Sequence, residues 1–141
     1  ITSIISLQKD VTIFIRTKIV VMGINVFGEK IITCSNYPLT GFFRDGCCNT
    51  DKDDLGIHTV CIIITNDFLS YSKKIGNDLT TPNRNYNFPG LKEGDKWCLC
   101  AKRWQQALSH NCAPKVILEA THEKTLEILS MKDLLEYAYT K

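Results

Sequence analysis

The hydrophobic pattern is most decisive in the run His58-Thr59-Val60-Cys61-Ile62-Ile63-Ile64, which is continuously apolar and rich in β-branched residues. Such a run, too short for a buried helix, predicts a strand covered on both faces. Thr65 or Asn66 then N-caps a helix that places Phe68, Leu69, Ser72 and Ile75 on one face. Lys73 and Lys74 fall in its last turn, and Gly76 stops it. Towards the N-terminus the pattern is shorter. Asn25-Val26-Phe27 and Ile31-Ile32-Thr33 flank a turn at Gly28-Glu29-Lys30 and predict a hairpin.

After Gly76 the apolar positions thin out. Residues 77 to 94 carry Pro82, Pro89-Gly90 and repeated Asn around the isolated anchors Leu79, Tyr86, Phe88 and Leu91. An irregular stretch of that length in a small domain commonly forms a lid or binding loop, so it is expected to wall the site. From Asp95 as N-cap, Trp97, Cys100, Ala101, Trp104 and Leu108 recur at helical spacing and predict one helix. The competing pattern keeps Trp97 to Cys100 extended and starts the helix at Ala101. Val116, Leu118 and Ala120 alternate with Ile117, Glu119 and Thr121, and Leu126 and Ile128 alternate again, predicting a hairpin with His122 near its tip. Ser130-Met131-Lys132-Asp133 is a capping-box variant that opens a last helix with Leu134, Leu135 and Ala138 inward. Together these elements predict an α+β fold: a single domain with a small, mostly antiparallel sheet and about three helices.

Length is consistent with one domain: 141 residues bury an ordinary core without staples. The opening segment, residues 1–21, is read as an upstream extension, with Met22 as the start of a domain covering 22–141. The formal charge of +2 is carried by that segment, and the remainder is balanced. A nucleic-acid binder is expected to carry a basic face, and none is visible, so no nucleic-acid partner is expected. No uncharged run approaches the ~20 residues that span a bilayer, so no membrane partner is expected either. The cysteine count is seven. An odd number, in a chain with no export-signal pattern, predicts reduced thiols and a cytoplasmic location.

The chemistry concentrates between Gly41 and Cys61, where glycines bracket Arg44, Asp45, Cys47 and Cys48, ahead of the acidic turn Asp53-Asp54 and His58-x-x-Cys61. Zinc takes thiolates and imidazoles in fours, usually as two close pairs. Cys47, Cys48, His58, Cys98, Cys100 and His122 are the candidate metal ligands, although none of their spacings is a standard zinc pattern. A second reading is a metal-free thiol enzyme. Here Cys47 or Cys48 is the nucleophile, His58 or His122 the base, and Asp45 or Glu123 the orienter, with Arg44 stabilising the thiolate. A third is a binding or interaction module whose cysteines only pack. The acidic turn fails the EF-hand pattern at Leu55 and Ile62 and is read as solvated. Trp97 and Trp104 are expected in the core, and a small molecule is the expected ligand class.

The motifs Gly41-Phe42-Phe43-Arg44-Asp45-Gly46-Cys47-Cys48, Leu55-Gly56-Ile57-His58-Thr59-Val60-Cys61, Phe88-Pro89-Gly90-Leu91, Gly94-Asp95-Lys96-Trp97-Cys98-Leu99-Cys100-Ala101 and Leu118-Glu119-Ala120-Thr121-His122-Glu123 occur in this order. In them the chain resembles the bacterial family of domains of unknown function 2237, over about Asn25 to Ala138. The resemblance implies a stand-alone small domain and no particular activity. Its motif positions include Cys34, Arg44, Asp45, Cys47, Cys48, His58, Cys61, Asn77, Asp78, Trp97, Cys98, Cys100, Arg103, Trp104 and His122. His110 and Cys112 fall at variable positions and are left out of the site.

Overall fold

The computed structural model describes residues 23–141, so the reading of residues 1–21 as an extension lies outside the described residues. Two strands, β1 (His58–Ile63) and β2 (Lys96–Cys100), pair antiparallel at the centre. Three α-helices follow the strands: α1 (Asn66–Lys74), α2 (Ala101–Ser109) and α3 (Met131–Glu136), with 3-10 turns between them. The class is α+β, as the pattern predicts.

The ribbon divides the interior in two. Alternation along each strand sends Val60 and Ile62 of β1, and Trp97 and Leu99 of β2, to one face. There they pack with Phe68 and Leu69 of α1, Ala101, Trp104 and Ala107 of α2, and Leu134 of α3. Trp104 is fully buried, donates from Nε1 to Pro114 O at 3.0 Å and meets the Tyr137 ring edge-on. Cys61 and Cys98, register partners, point to the opposite face and join Cys34, Cys48, Ile31 and Ala120 in a second, smaller core.

The β1-to-α1 unit follows the local signals. Thr65 Oγ1 accepts from Phe68 N at 3.1 Å, and Gly76 adopts φ +96° just past the helix end. The Ser130 cap also forms, its Oγ accepting from Asp133 N at 3.1 Å.

Three expectations are corrected. The helix does not begin at Asp95: residues 96–100 are extended because β1 supplies a partner for each of them, and α2 starts at Ala101. The hairpin across residues 116–128 is absent. Val116 makes isolated bridges to Ile62 and Ala138, and the chain then turns through 3-10 segments Leu118–Ala120 and Glu123–Glu127. Threonine hydroxyls take over work that strand partners would have done there. Thr121 Oγ1 accepts from Cys61 N at 3.2 Å, and the buried Thr59 and Thr125 hydroxyls bond each other at 2.7 Å. Around Gly28 the expected hairpin reduces to a single bridge, Ile24 to Lys30, because Asn25 Oδ1 accepts from Phe27 N and Glu29 N and closes the loop itself.

Candidate functional site

A chemically dense recess of about 450 Å³ opens at the end of the ribbon where β2 passes into α2. Gly41, Phe42 and Arg44 from the glycine-bounded loop, His58 from β1, Trp97 to Cys100 from β2 and Arg103 from α2 line it. Asn77 and Leu79, from the irregular stretch, complete a wall where the sequence predicts one.

His58 is held from several sides. Asp54, whose side chain is fully buried, sets its Oδ1 2.6 Å from His58 Nδ1. The other carboxylate oxygen accepts from His58 N and from Thr50 Oγ1, both at 2.9 Å. In the neutral tautomer in which Nδ1 donates to this carboxylate, the Nε2 lone pair is available. The ring stacks on Phe42 at 6.5 Å between centroids and 18° between planes. Backbone presses on it elsewhere: a Cβ at Gly56 would stand 2.5 Å from His58 Cε1. Between Gly56 and His58, Ile57 adopts φ +50°, a strained conformation for a β-branched residue, and its carbonyl accepts from Ala101 N at 3.0 Å. The turn carrying His58 is thereby fastened to the start of α2.

Cys100 stands opposite His58 in the β1–β2 register and lines the same recess. The pairing is irregular between His58 and Val60, so the two residues share the end of the ribbon beside this break in register. Cys100 is a free thiol, partly exposed, at the N-cap position of α2, and no side chain caps that end. The first-turn amides and the helix dipole therefore favour negative charge at this point.

Arg44 and Arg103 supply positive charge. Arg44 donates from Nη1 to Gly41 O at 2.6 Å and lies 5.3 Å over the Trp97 ring. Arg103 reaches Gln106 Oε1 at 3.3 Å. The ion pairs among the described residues involve neither guanidinium. Asp45, a candidate orienter in the sequence, accepts from Cys47 N at 3.0 Å and faces the Asn49 amide.

The other sequence candidates are placed differently. Cys48 and Cys98 are joined in a disulfide, as are Cys34 and Cys61. This corrects the expectation of reduced thiols throughout: three cysteines, Cys47, Cys100 and Cys112, remain free. It also takes Cys48 and Cys98 out of the expected ligand set and Cys48 out of the nucleophile role in this state, because a bonded sulfur is neither thiolate nor ligand. Cys47 is buried beside Thr33 Oγ1 at 3.9 Å. Burial pushes its thiol up, and the Asp45 charge adds to this against the Thr33 bond. That is the opposite of what a nucleophile at neutral pH requires. His122 packs against Gly23 on another part of the surface of β1's loop system, its Nδ1 accepting from Lys124 N at 3.0 Å. Burial lowers its pKa, outweighing the Glu123 charge. Among the described residues the cluster of three or more potential ligands is Cys34, Cys48 and Cys61, with sulfurs within 4.8 Å of one another. It includes no histidine.

Asp54 is the residue the sequence reasoning missed. It was placed in a solvated turn, yet its four-residue spacing to His58 is the one signal that marks it.

No helix among the described residues is long and apolar enough to cross a membrane. No relative is found among curated proteins. Residues 24–138 match the model of a family described as an uncharacterized protein conserved in bacteria (DUF2237), and the chain belongs to that family.

Proposed function

We propose that this DUF2237 chain performs thiol-dependent acyl transfer on a small anionic substrate, with Cys100 as nucleophile, His58 as base and Asp54 as orienter. The observation that carries the reading is that His58, bonded through Nδ1 to the buried Asp54 carboxylate, lines one recess with its register partner Cys100. His58 Nε2 takes the proton from Cys100 Sγ while Asp54 steadies the imidazolium. The thiolate adds to a substrate carbonyl, and the oxyanion is stabilised by amides of the first turn of α2. Collapse expels the leaving group, which takes the proton back from His58. Water, deprotonated by the same imidazole, then releases the acyl group from sulfur. Arg44, over the Trp97 ring, and Arg103 give the substrate's anionic group two guanidinium partners.

The test is iodoacetamide alkylation of the oxidised protein, followed residue by residue by mass spectrometry. Cys100 is expected to react first and Cys47 only on unfolding. His58→Gln is expected to slow Cys100 by at least about tenfold, since a positioned base contributes ~10² or more. Equal rates for Cys100 and Cys112 in wild type, both indifferent to His58→Gln, would refute the assignment.

A further inference from the structure

Beneath the ribbon, on the face away from the helices, two cystines sit side by side. Cys61 and Cys98 are register partners across β1 and β2, and each is bonded to a cysteine from the preceding loops, Cys34 and Cys48. The Cα–Cα separations are 5.8 Å for 34–61 and 5.3 Å for 48–98, so four cysteine backbones surround one small volume. Three of the sulfurs lie within 4.8 Å of one another, and the fourth, of Cys98, is bonded to one of those three.

We propose that these four cysteines form a redox-linked zinc centre, tetrathiolate when reduced and a pair of cystines when oxidised. The geometry is close to both states. Tetrahedral zinc at a Zn–S distance of about 2.3 Å sets its sulfurs ~3.8 Å apart. Bonded pairs would relax outward to that distance, the non-bonded pairs among Cys34, Cys48 and Cys61 would draw in by about 1 Å or less, and the Cys98 sulfur would swing in toward them. Backbone anchors are common to both states: Cys98 N donates to Thr40 Oγ1 at 2.9 Å, Cys61 N to Thr121 Oγ1, and Cys34 N to Gly46 O at 2.8 Å. Ile31 and Ala120 close the shell and keep water from competing. Four thiolates without an oxygen ligand suit zinc rather than calcium or magnesium.

The chemistry balances with a peroxide as oxidant. The zinc tetrathiolate, two molecules of hydrogen peroxide and four protons give two cystines, free Zn²⁺ and four waters, the sulfurs losing four electrons and the peroxides gaining them. Two dithiol molecules reverse it, each closing to a cyclic disulfide as the four cysteine thiolates regain the metal and four protons are released. Such a centre accounts for cystines in a chain whose sequence predicts a cytoplasmic location, where permanent disulfides are rare and redox-responsive ones are not. It is independent of the acyl-transfer reading, since none of the four sulfurs takes part there.

The experiment uses the full chain without a metal-affinity tag, reduced with a trialkylphosphine and titrated with cobalt(II) and then zinc. The expected result is one cobalt per chain with the visible absorption of tetrahedral thiolate coordination, displaced stoichiometrically by zinc. Cys34→Ala and Cys98→Ala should each abolish that signature, and the triple variant Cys47→Ser, Cys100→Ser, Cys112→Ser should keep it. Peroxide should then release the zinc and regenerate the 34–61 and 48–98 pairs in the peptide map. If reduction unfolds the apo chain, zinc should restore the native circular dichroism, as binding and folding are then coupled. No stoichiometric metal, binding that survives Cys34→Ala or Cys98→Ala, or a reduced chain that zinc fails to refold would each overturn the metal centre. Release with other pairings would overturn the redox link.

Discussion

Removal of the Cys34–Cys61 crosslink by the double substitution Cys34→Ala, Cys61→Ala tests how the ribbon is held. The two cysteines are 27 residues apart, and the loop-closure relation for that length gives about 3.6 kcal/mol of stabilisation at 25 °C. The same relation for the 50-residue separation of Cys48 and Cys98 gives about 4.1 kcal/mol. The two loops overlap, so once one is closed the other constrains the unfolded chain less, and removing both costs less than the sum. Against a typical domain stability of ~5–15 kcal/mol, either loss is large. With a urea dependence of ~1–3 kcal/mol per molar, the midpoint should fall by roughly 1–3 M, with a modest rise in slope as the unfolded chain exposes more surface. Trp97 and Trp104, both in the core, report the transition by fluorescence. Measurements are made on oxidised protein whose Cys48–Cys98 bond is verified by mass. An unchanged midpoint would refute the reasoning, because it would mean that the overlapping ring already supplies all the constraint.

Asp54→Asn keeps the shape but replaces the oxygen facing His58 Nδ1 or the one accepting from His58 N and Thr50. A loss of about 1.5–3 kcal/mol and a drop in Cys100 alkylation follow, read by urea unfolding and peptide mapping. Gly56→Ala puts a methyl into the His58 ring. Its chemical shifts and Cys100 reactivity should change while far-ultraviolet circular dichroism does not; an unmoved His58 spectrum would contradict the packing. Gly90→Ala combines φ +79° with a Cβ 2.3 Å from Thr80 O, and the melting temperature should fall by several degrees. His122, lowered by burial, binds its proton less readily folded than unfolded. Its contribution is therefore complete above the ordinary pKa of 6.5 and is lost as pH falls below it, and His122→Asn should flatten the pH 7 to 5 limb of a stability profile.

What was legible in the sequence was local. The His58 strand, the Thr65 cap, the Gly76 stop and the Ser130 cap are each decided by a few neighbouring residues, and all form. Trp97-Cys98-Leu99-Cys100 was not, because an apolar run satisfies both periods and only β1, some 35 residues earlier, selects the extended one. Residues 116–128 alternate as a strand would, but no strand lies beside them and buried threonines supply the bonds instead. The glycine-bounded loop that the sequence singled out contributes Gly41, Phe42 and Arg44 to the recess, and β1 contributes His58. Cys100, read in the sequence as a metal ligand, is a free thiol that lines the recess together with His58. Cysteine spacing could not say which four of seven would pair, since that depends on which loops the ribbon draws beneath it.

The overlap of the two covalent rings has a consequence for proteolysis. A protease nicking the backbone anywhere between Cys48 and Cys61, including the exposed Leu55 turn, cuts inside both rings at once. Neither fragment would be released, and the nicked molecule would migrate as a single band until thiol reagent is added to the gel.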